Sequence, residues 1–354
     1  MLSGAGALGQ VAEEVDRLGC ERALLLTTRS VVSSNLAARV EAVLGRAWVG
    51  TYPDCRQHVP TAAVREAVGA AIGLDADVIV SLGGGSVIDA AKAAALELGS
   101  RGGTVLPHVA IPTTLSGAEF TPVAGVTDEV TRAKNLKFDS GIVPRVVILD
   151  PEATQATPQP LWLATGVKAL DHAFEALWSR HPHPVADALA LEAIRQLTGA
   201  LPRSRDPHDV EARERCQLGA WMSIAGVVNV GTRLSHPLAH QMGAYWAVPH
   251  GVTSCIVLPH VMRFLAAETL DQQVRIAGAL GVDAEGHDGA GVAAAAANRL
   301  EELIASLGLP TRLRDTGARH EEIPIVASAV SDELAAADDP PSTATIEALL
   351  QSMW

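Results

Sequence analysis

Aromatic side chains are scarce in this chain: Phe, Trp and Tyr make up 3% of 354 residues. Its core must therefore be built from Ala, Leu and Val. Basic residues are outnumbered, 27 Lys and Arg against 40 Asp and Glu, for a formal net charge of −13. Binding a phosphate backbone needs a basic face, so this balance argues against nucleic acid as a partner. It does not exclude a small anionic substrate, for which one local basic pocket is enough. Cysteine is sparse. Cys20, Cys55, Cys216 and Cys255 form no CxxC pair and no zinc spacing. They read as reduced, buried thiols of a cytoplasmic protein. No apolar run reaches the roughly 18 residues of a membrane span. The N-terminal segment carries Glu13, Glu14 and Asp16 and no basic stretch, which argues against a signal peptide.

What is present fits an ordinary soluble globular chain, 48% hydrophobic and 19% charged. Over the first 150 residues short apolar runs alternate with helical patterns. ALLLTT (23–28), WVGTY (48–52), DVIVSL (77–82), HVAIPTT (108–114) and RVVILD (145–150) read as strands. VVSSNLAARVEAVL (31–44), TAAVREAVGAAIG (61–73) and SVIDAAKAAALEL (86–98) read as helices. Such alternation predicts a parallel, doubly wound α/β sheet. Beyond residue 158 helix follows helix, with no strand pattern of comparable strength. The expected division is an α/β domain over 1–155 and an all-helical domain over 156–354.

One lysine and four histidines carry the chemistry. Lys168 and His172 lie four apart in GVKALDH, and His236 and His240 four apart in LSHPLAH. That spacing puts each pair on one helix face. His250 lies between Pro249 and Gly251, where a bend is expected. Together the five read as a metal site with one ligand replaced. Such a cluster can bind anions, move protons or hold a metal.

Two glycine-rich stretches compete as phosphate cradles. GAGALG (4–9) matches GxGxxG literally, but no strand is expected before residue 4, so a plain turn into a helix explains it. The second is stronger. Gly83, Gly84, Gly85 and Ser86 join a strand to a helix start, where free N–H groups and the helix dipole favour a pyrophosphate. Asp89 and Lys92 follow on that helix, where a solvated face is the plain reading. Thr113, Thr114 and Ser116 leave the next strand together and can hydrogen-bond a ribose, a phosphate or an amide.

GGGSVIDAAKA, IPTTLSGAE, RVVILDPE, GVKALDHAFEALW and LSHPLAHQMGAYWAVPHGV occur in this order along nearly the whole chain. The set resembles the iron-containing, or group III, alcohol dehydrogenase family. The resemblance implies a nucleotide-binding α/β domain followed by an all-helical domain, a fold shared with the dehydroquinate synthase class. It implies cofactor contacts from Gly83, Gly84, Gly85, Ser86, Asp89, Thr113, Thr114 and Lys134. It also implies NADPH or NADH as cofactor, a cytoplasmic enzyme and a homodimer. Metal-binding relatives use an Asp and three His, which match Lys168, His172, His236 and His250. An ammonium repels a divalent cation by about 8 kcal/mol at 4 Å and an effective dielectric of 20, so no metal is expected. Asp171, one helix step from His172, is a poor substitute ligand. The chain leans toward the maleylacetate reductases, a branch associated with the degradation of aromatic compounds.

The expected reaction is NAD(P)H-dependent reduction of maleylacetate to 3-oxoadipate. Lys168 would stabilise developing negative charge, His240 or His250 would donate a proton, and His172 and His236 would orient substrate. Arg145 and Arg233 are candidate carboxylate partners. Thr28 stands where NAD-preferring relatives carry Asp, and Arg29 beside it can pair with a 2′-phosphate, so NADPH is expected to be accepted. The rivals are a metal-dependent alcohol or aldehyde dehydrogenase, a lyase and a non-catalytic binding protein.

Overall fold

Apolar strands buried on both faces need helices on both sides, and the first part of the chain supplies them in alternation. Its strands are β1 (Leu2–Ser3), β2 (Ala23–Leu26), β3 (Trp48–Tyr52), β4 (Val78–Gly83), β5 (His108–Pro112), β6 (Val123–Thr127), β7 (Lys134–Phe138) and β8 (Val146–Leu149). Its helices are α1 (Val11–Arg17), α2 (Arg29–Ser33), α3 (Leu36–Leu44), α4 (Thr61–Gly73) and α5 (Gly85–Ser100). These positions come from a computed structural model of the chain that describes all residues except 102–104, 131–133 and 284.

Among the described residues six strands form a parallel sheet in the order β1-β8-β5-β4-β2-β3. Successive strand residues point to opposite faces. Leu25, Val80 and Leu82 therefore pack with Val11, Val15 and Val40 of α1 and α3. Leu24, Leu26 and Ile79 pack on the other face with Val64, Val68 and Val87 of α4 and α5. The chain runs outward from β2 to β3, then returns to place β4 on the other side of β2. The strand order reverses between β2 and β4, and at such a switch point the carboxyl ends of the strands leave a ligand crevice. The loops at 27–28 and 83–86 sit at those ends.

Four local features depart from the sequence expectations. A strand does precede residue 4: β1 pairs parallel with Ile148 and Leu149. The glycine turn after it still offers no phosphate cradle, because Asp150 accepts the Gly6 and Leu8 N–H bonds at 3.3 and 2.9 Å. The helix expected over 31–44 is broken, with Asn35 in a left-handed conformation at φ 65° between α2 and α3. The Ser33-Ser34-Asn35 run competes with helix through local side-chain hydrogen bonds, and asparagine tolerates that conformation. An antiparallel hairpin, β6 with β7, also forms within the otherwise parallel region. Its outer strand KNLKF exposes Leu136 and Phe138, so no clean burial pattern marked it.

The second part is helical: α6 (Gln159–Trp178), α7 (Pro184–Ala200), α8 (Val210–Val230), α9 (Ser235–Trp246), α10 (His250–Phe264), α11 (Leu270–Ala279), α12 (Gly289–Ser306), α13 (Ile323–Glu333) and α14 (Thr343–Ser352). No helix of the described residues is long and apolar enough to cross a membrane. Two compact units emerge: Met1–Pro158 with Asp206–Gln217, and Gln159–Arg205 with Leu218–Trp354. Residues 206–217, expected in the helical domain, thus belong with the α/β unit. Arg213 explains this, because its buried guanidinium donates to the Thr154 carbonyl at 2.8 Å and its hydroxyl at 2.9 Å.

Within the helical unit α6 packs against α7 and α10. Gly251, the second residue of α10, permits the latter contact. A Cβ there would lie 2.8 Å from the Ala164 carbonyl carbon and oxygen of α6. Gly251→Ala is expected to destabilise the protein by about 1–3 kcal/mol through overpacking, read as a lowered melting temperature.

Candidate active site

Three helices of the second unit bring the predicted basic residues together. Lys168 and His172 lie one turn apart on α6, His236 and His240 on α9, and His250 opens α10. The His172 and His236 rings stack at 5.2 Å and 23°, and those of His240 and His250 at 5.5 Å and 25°. His236 also meets His250 edge-on at 5.7 Å and His240 at 6.1 Å. His172 and His236 are buried, His250 and Lys168 half-buried, and His240 exposed.

The buried side of the cluster is acidic. Glu175, one turn beyond His172's neighbour Asp171, has no solvent exposure. Its carboxylate accepts the Arg233 N–H and, at 2.9 Å, the Ser235 N–H, so it caps the start of α9. Its Oε2 lies 3.7 Å from His236 Nδ1. Asp171 is equally buried and accepts from the Ser254 hydroxyl of α10 at 2.8 Å. Glu175 was missed as a site residue and Asp171 was set aside as a poor ligand, although the two lie four apart in an apolar helix.

Burial and charge then divide the imidazoles. Burial pushes His172 well down, and the charges of Lys168 and His236 add to that shift, so His172 is neutral. Burial also opposes a proton on His236, but Glu175 and Asp171 outweigh it and the net shift is upward. Burial raises Asp171 to about 6, with His236 opposing the rise and Glu175 adding to it. His240 faces outward and hydrogen-bonds Glu333 of α13 at 2.9 Å.

Metal binding by the family's positions fits poorly. Lys168 supplies an ammonium where a carboxylate ligand would stand. Among the described residues the one group of three donors within 4.8 Å is Asp171, Glu175 and His236, not the three histidines. Both Glu175 oxygens accept main-chain N–H bonds, and each keeps a second lone pair. The same pair of carboxylates favours a proton on His236.

In the first unit, Gly83, Gly84 and Gly85 carry β4 into α5. A Cβ at Gly83 would lie 2.5 Å from Val87 Cγ2, and one at Gly84 3.0 Å from Thr114 Cγ2. The helix start has no side-chain cap, and Ser86 beside it is half-buried. Thr113 and Thr114 are buried, and the Thr114 hydroxyl has no partner in the protein. Bare amides, absent side chains and an orphaned hydroxyl fit a pyrophosphate-bearing dinucleotide. Thr28 caps α2 by accepting the Val31 N–H at 3.3 Å. Arg29 is exposed but not isolated, since its Nε donates to Asp54 at 2.5 Å. Asp89 accepts the Gly125 N–H at 3.2 Å. Lys134 opens β7, but its side chain lies outside the described residues. Of the two candidate arginines, Arg233 is committed to the Trp178 carbonyl and to Glu268. Arg145 sits exposed at the amino end of β8, the opposite sheet edge from the glycine turn.

Residues 1–151 match Iron-containing alcohol dehydrogenase, and residues 162–354 match Fe-containing alcohol dehydrogenase family, C-terminal. A maleylacetate reductase of Burkholderia cepacia is 37% identical over 92% of this chain and 86% of its own length. Lactaldehyde reductase of Escherichia coli (strain K12) is 34% identical over 98% and 95%. The crystal structure of maleylacetate reductase from Rhizobium sp. strain MTP-10005 superposes with a TM-score of 0.87 at 33% identity, over 100% of this chain and 95% of that one. The chain is therefore an oxidoreductase of the iron-containing alcohol dehydrogenase family, on its maleylacetate reductase branch.

Proposed function

We propose that this enzyme reduces the conjugated double bond of maleylacetate to give 3-oxoadipate, using NADH or NADPH and no metal ion. The observation that carries this reading is Lys168, a cation beside His172 and His236 at the position of the relatives' carboxylate ligand. An alcohol carbon needs a Lewis acid or a strong base to lose hydride, whereas an enone needs only a place for negative charge. When bound, the dinucleotide supplies hydride to the carbon β to the ketone. Charge then collects on the ketone oxygen, where Lys168 and protonated His236 face it. Neutral His172 orients the substrate. The proton for the α carbon comes from the stacked pair His240 and His250, whose exposed member exchanges with water.

A second reading is a metal-dependent alcohol or aldehyde dehydrogenase, for which the lactaldehyde reductase relative is the support. Cofactor oxidation by chelator-treated enzyme, with maleylacetate or lactaldehyde offered separately, decides between them. Retained maleylacetate turnover is expected, and Lys168→Ala should lower it roughly 100-fold with cofactor binding unchanged. Activity that vanishes on chelation and returns with zinc or ferrous ion would sink the proposal.

The proton on His236 gives a pH prediction. Its proton affinity is raised, so the cation persists above the ordinary imidazole range and is lost as pH rises. Glu175→Gln removes one of the two supporting carboxylates. The alkaline limb of the kcat profile should then move down by roughly one pH unit. An unmoved limb would place the titrating group elsewhere.

Cofactor choice should follow the Arg29–Asp54 pair. Asp54 bridges to Thr28 at the ends of β2 and β3 and neutralises the arginine that would attract a 2′-phosphate. Asp54→Asn should raise the preference for NADPH over NADH about fivefold, and Arg29→Ala should lower it by a similar factor. The ratio of kcat/KM values measures both, and a ratio unmoved by either change would remove the pair from cofactor selection.

A further inference from the structure

Sequence spacing placed Lys92 on a solvated helix face, but this lysine has no exposure at all. It stands on α5 two turns beyond Gly85. Its ammonium donates to the Ala118 carbonyl, to the Thr121 carbonyl at 2.7 Å, to the Val123 carbonyl at 2.9 Å and to the Thr121 hydroxyl at 3.1 Å. Three N–H bonds thus serve four acceptors. All four belong to residues 118–123, where the loop that leaves β5 runs into β6. The near end of that loop lies against the glycine turn. A Cβ at Gly84 would stand 3.0 Å from Thr114 Cγ2, and one at Gly85 would stand 3.0 Å from Ser116 Oγ. Gly117, left-handed at φ 72°, turns the chain between the two ends. One helix therefore meets this loop twice, through bare backbone at its start and through a buried cation two turns later.

We propose that Lys92 is a positioning residue for the dinucleotide, holding the threonine-bearing loop at a set distance from Gly84 and Gly85. The proposal rests on the reading that this unit binds NADH or NADPH. A neutral amine offers two donors to the same four acceptors, and the loop end would loosen. The charged and titratable groups around the amine are Asp89 from α5, Glu119 from the turn after β5 and His108 from β5. Burial, with the charge of Lys92 adding, pushes His108 down to about 3, so it stays neutral near neutral pH. Burial pushes Lys92 down to about 8, against the pull of Asp89 and Glu119. The amine is thus the member of this group that changes charge just above neutrality.

Fluorescence titration of the whole enzyme with NADH and with NADPH, from about pH 7 to about pH 9.5, tests this. Wild-type affinity should fall at least about tenfold across that range as the third proton leaves. Lys92→Met keeps the bulk and removes the donors. It should bind both cofactors at least about tenfold more weakly at pH 7 and show a flat profile. If that variant does not fold, Lys92→Arg, which keeps the charge but cannot place one nitrogen among the four oxygens, is titrated instead and should also bind both cofactors more weakly. A Lys92→Met variant that binds both cofactors as tightly as the wild type overturns the role of Lys92. Wild-type protein that binds neither dinucleotide at any pH overturns the cofactor reading, and this proposal with it.

Discussion

The Glu175 carboxylate is the contact on which the helical unit's chemistry depends. It sits on α6 with no access to solvent, and both its oxygens accept N–H bonds at the start of α9. A buried carboxylate without partners would be neutral or strongly destabilising. Here the dipole and free amides of α9 supply compensation. The same contact fixes the first turn of α9, and with it the place of His236. Glu175 thus bears on the position of that imidazole and, together with Asp171, on its charge.

The surrounding groups follow from this balance. Asp171 and Glu175 stand on the protein side of His236, and Lys168 and His172 stand near it. A cation is favoured on His236 and disfavoured on His172, although both rings are buried and stack at 5.2 Å. The difference is which ring faces the carboxylates. Lys168 places a positive side chain beside both rings and opposes a proton on each.

The α/β unit solves a separate problem with similar means. Its glycine turn has no side chains of its own, so the turn's shape depends on neighbours. Thr114 and Ser116 press against it from the β5 loop, and Lys92 holds that loop from within the core. A lysine so deeply buried is tolerated because main-chain oxygens solvate it.

Much of this was legible in sequence. Alternating apolar runs and helical patterns marked the doubly wound sheet, since period and burial are local properties of the chain. The four-residue spacing of Lys168 with His172 and of His236 with His240 marked the cluster, since helix geometry repeats on that period. The β6–β7 hairpin was hidden by exposed side chains on its outer strand, and the helix break at Asn35 by apolar periodicity that runs across it. Partners distant in sequence were hidden altogether. Glu175 meets Arg233 and Ser235, Arg29 meets Asp54, and Lys92 meets the 118–123 segment only after folding. The chain's own order thus determined which elements form and which reactive side chains share a helix face. Tertiary structure alone decided which of those side chains carry protons, because protonation depends on burial and on charges contributed by other elements.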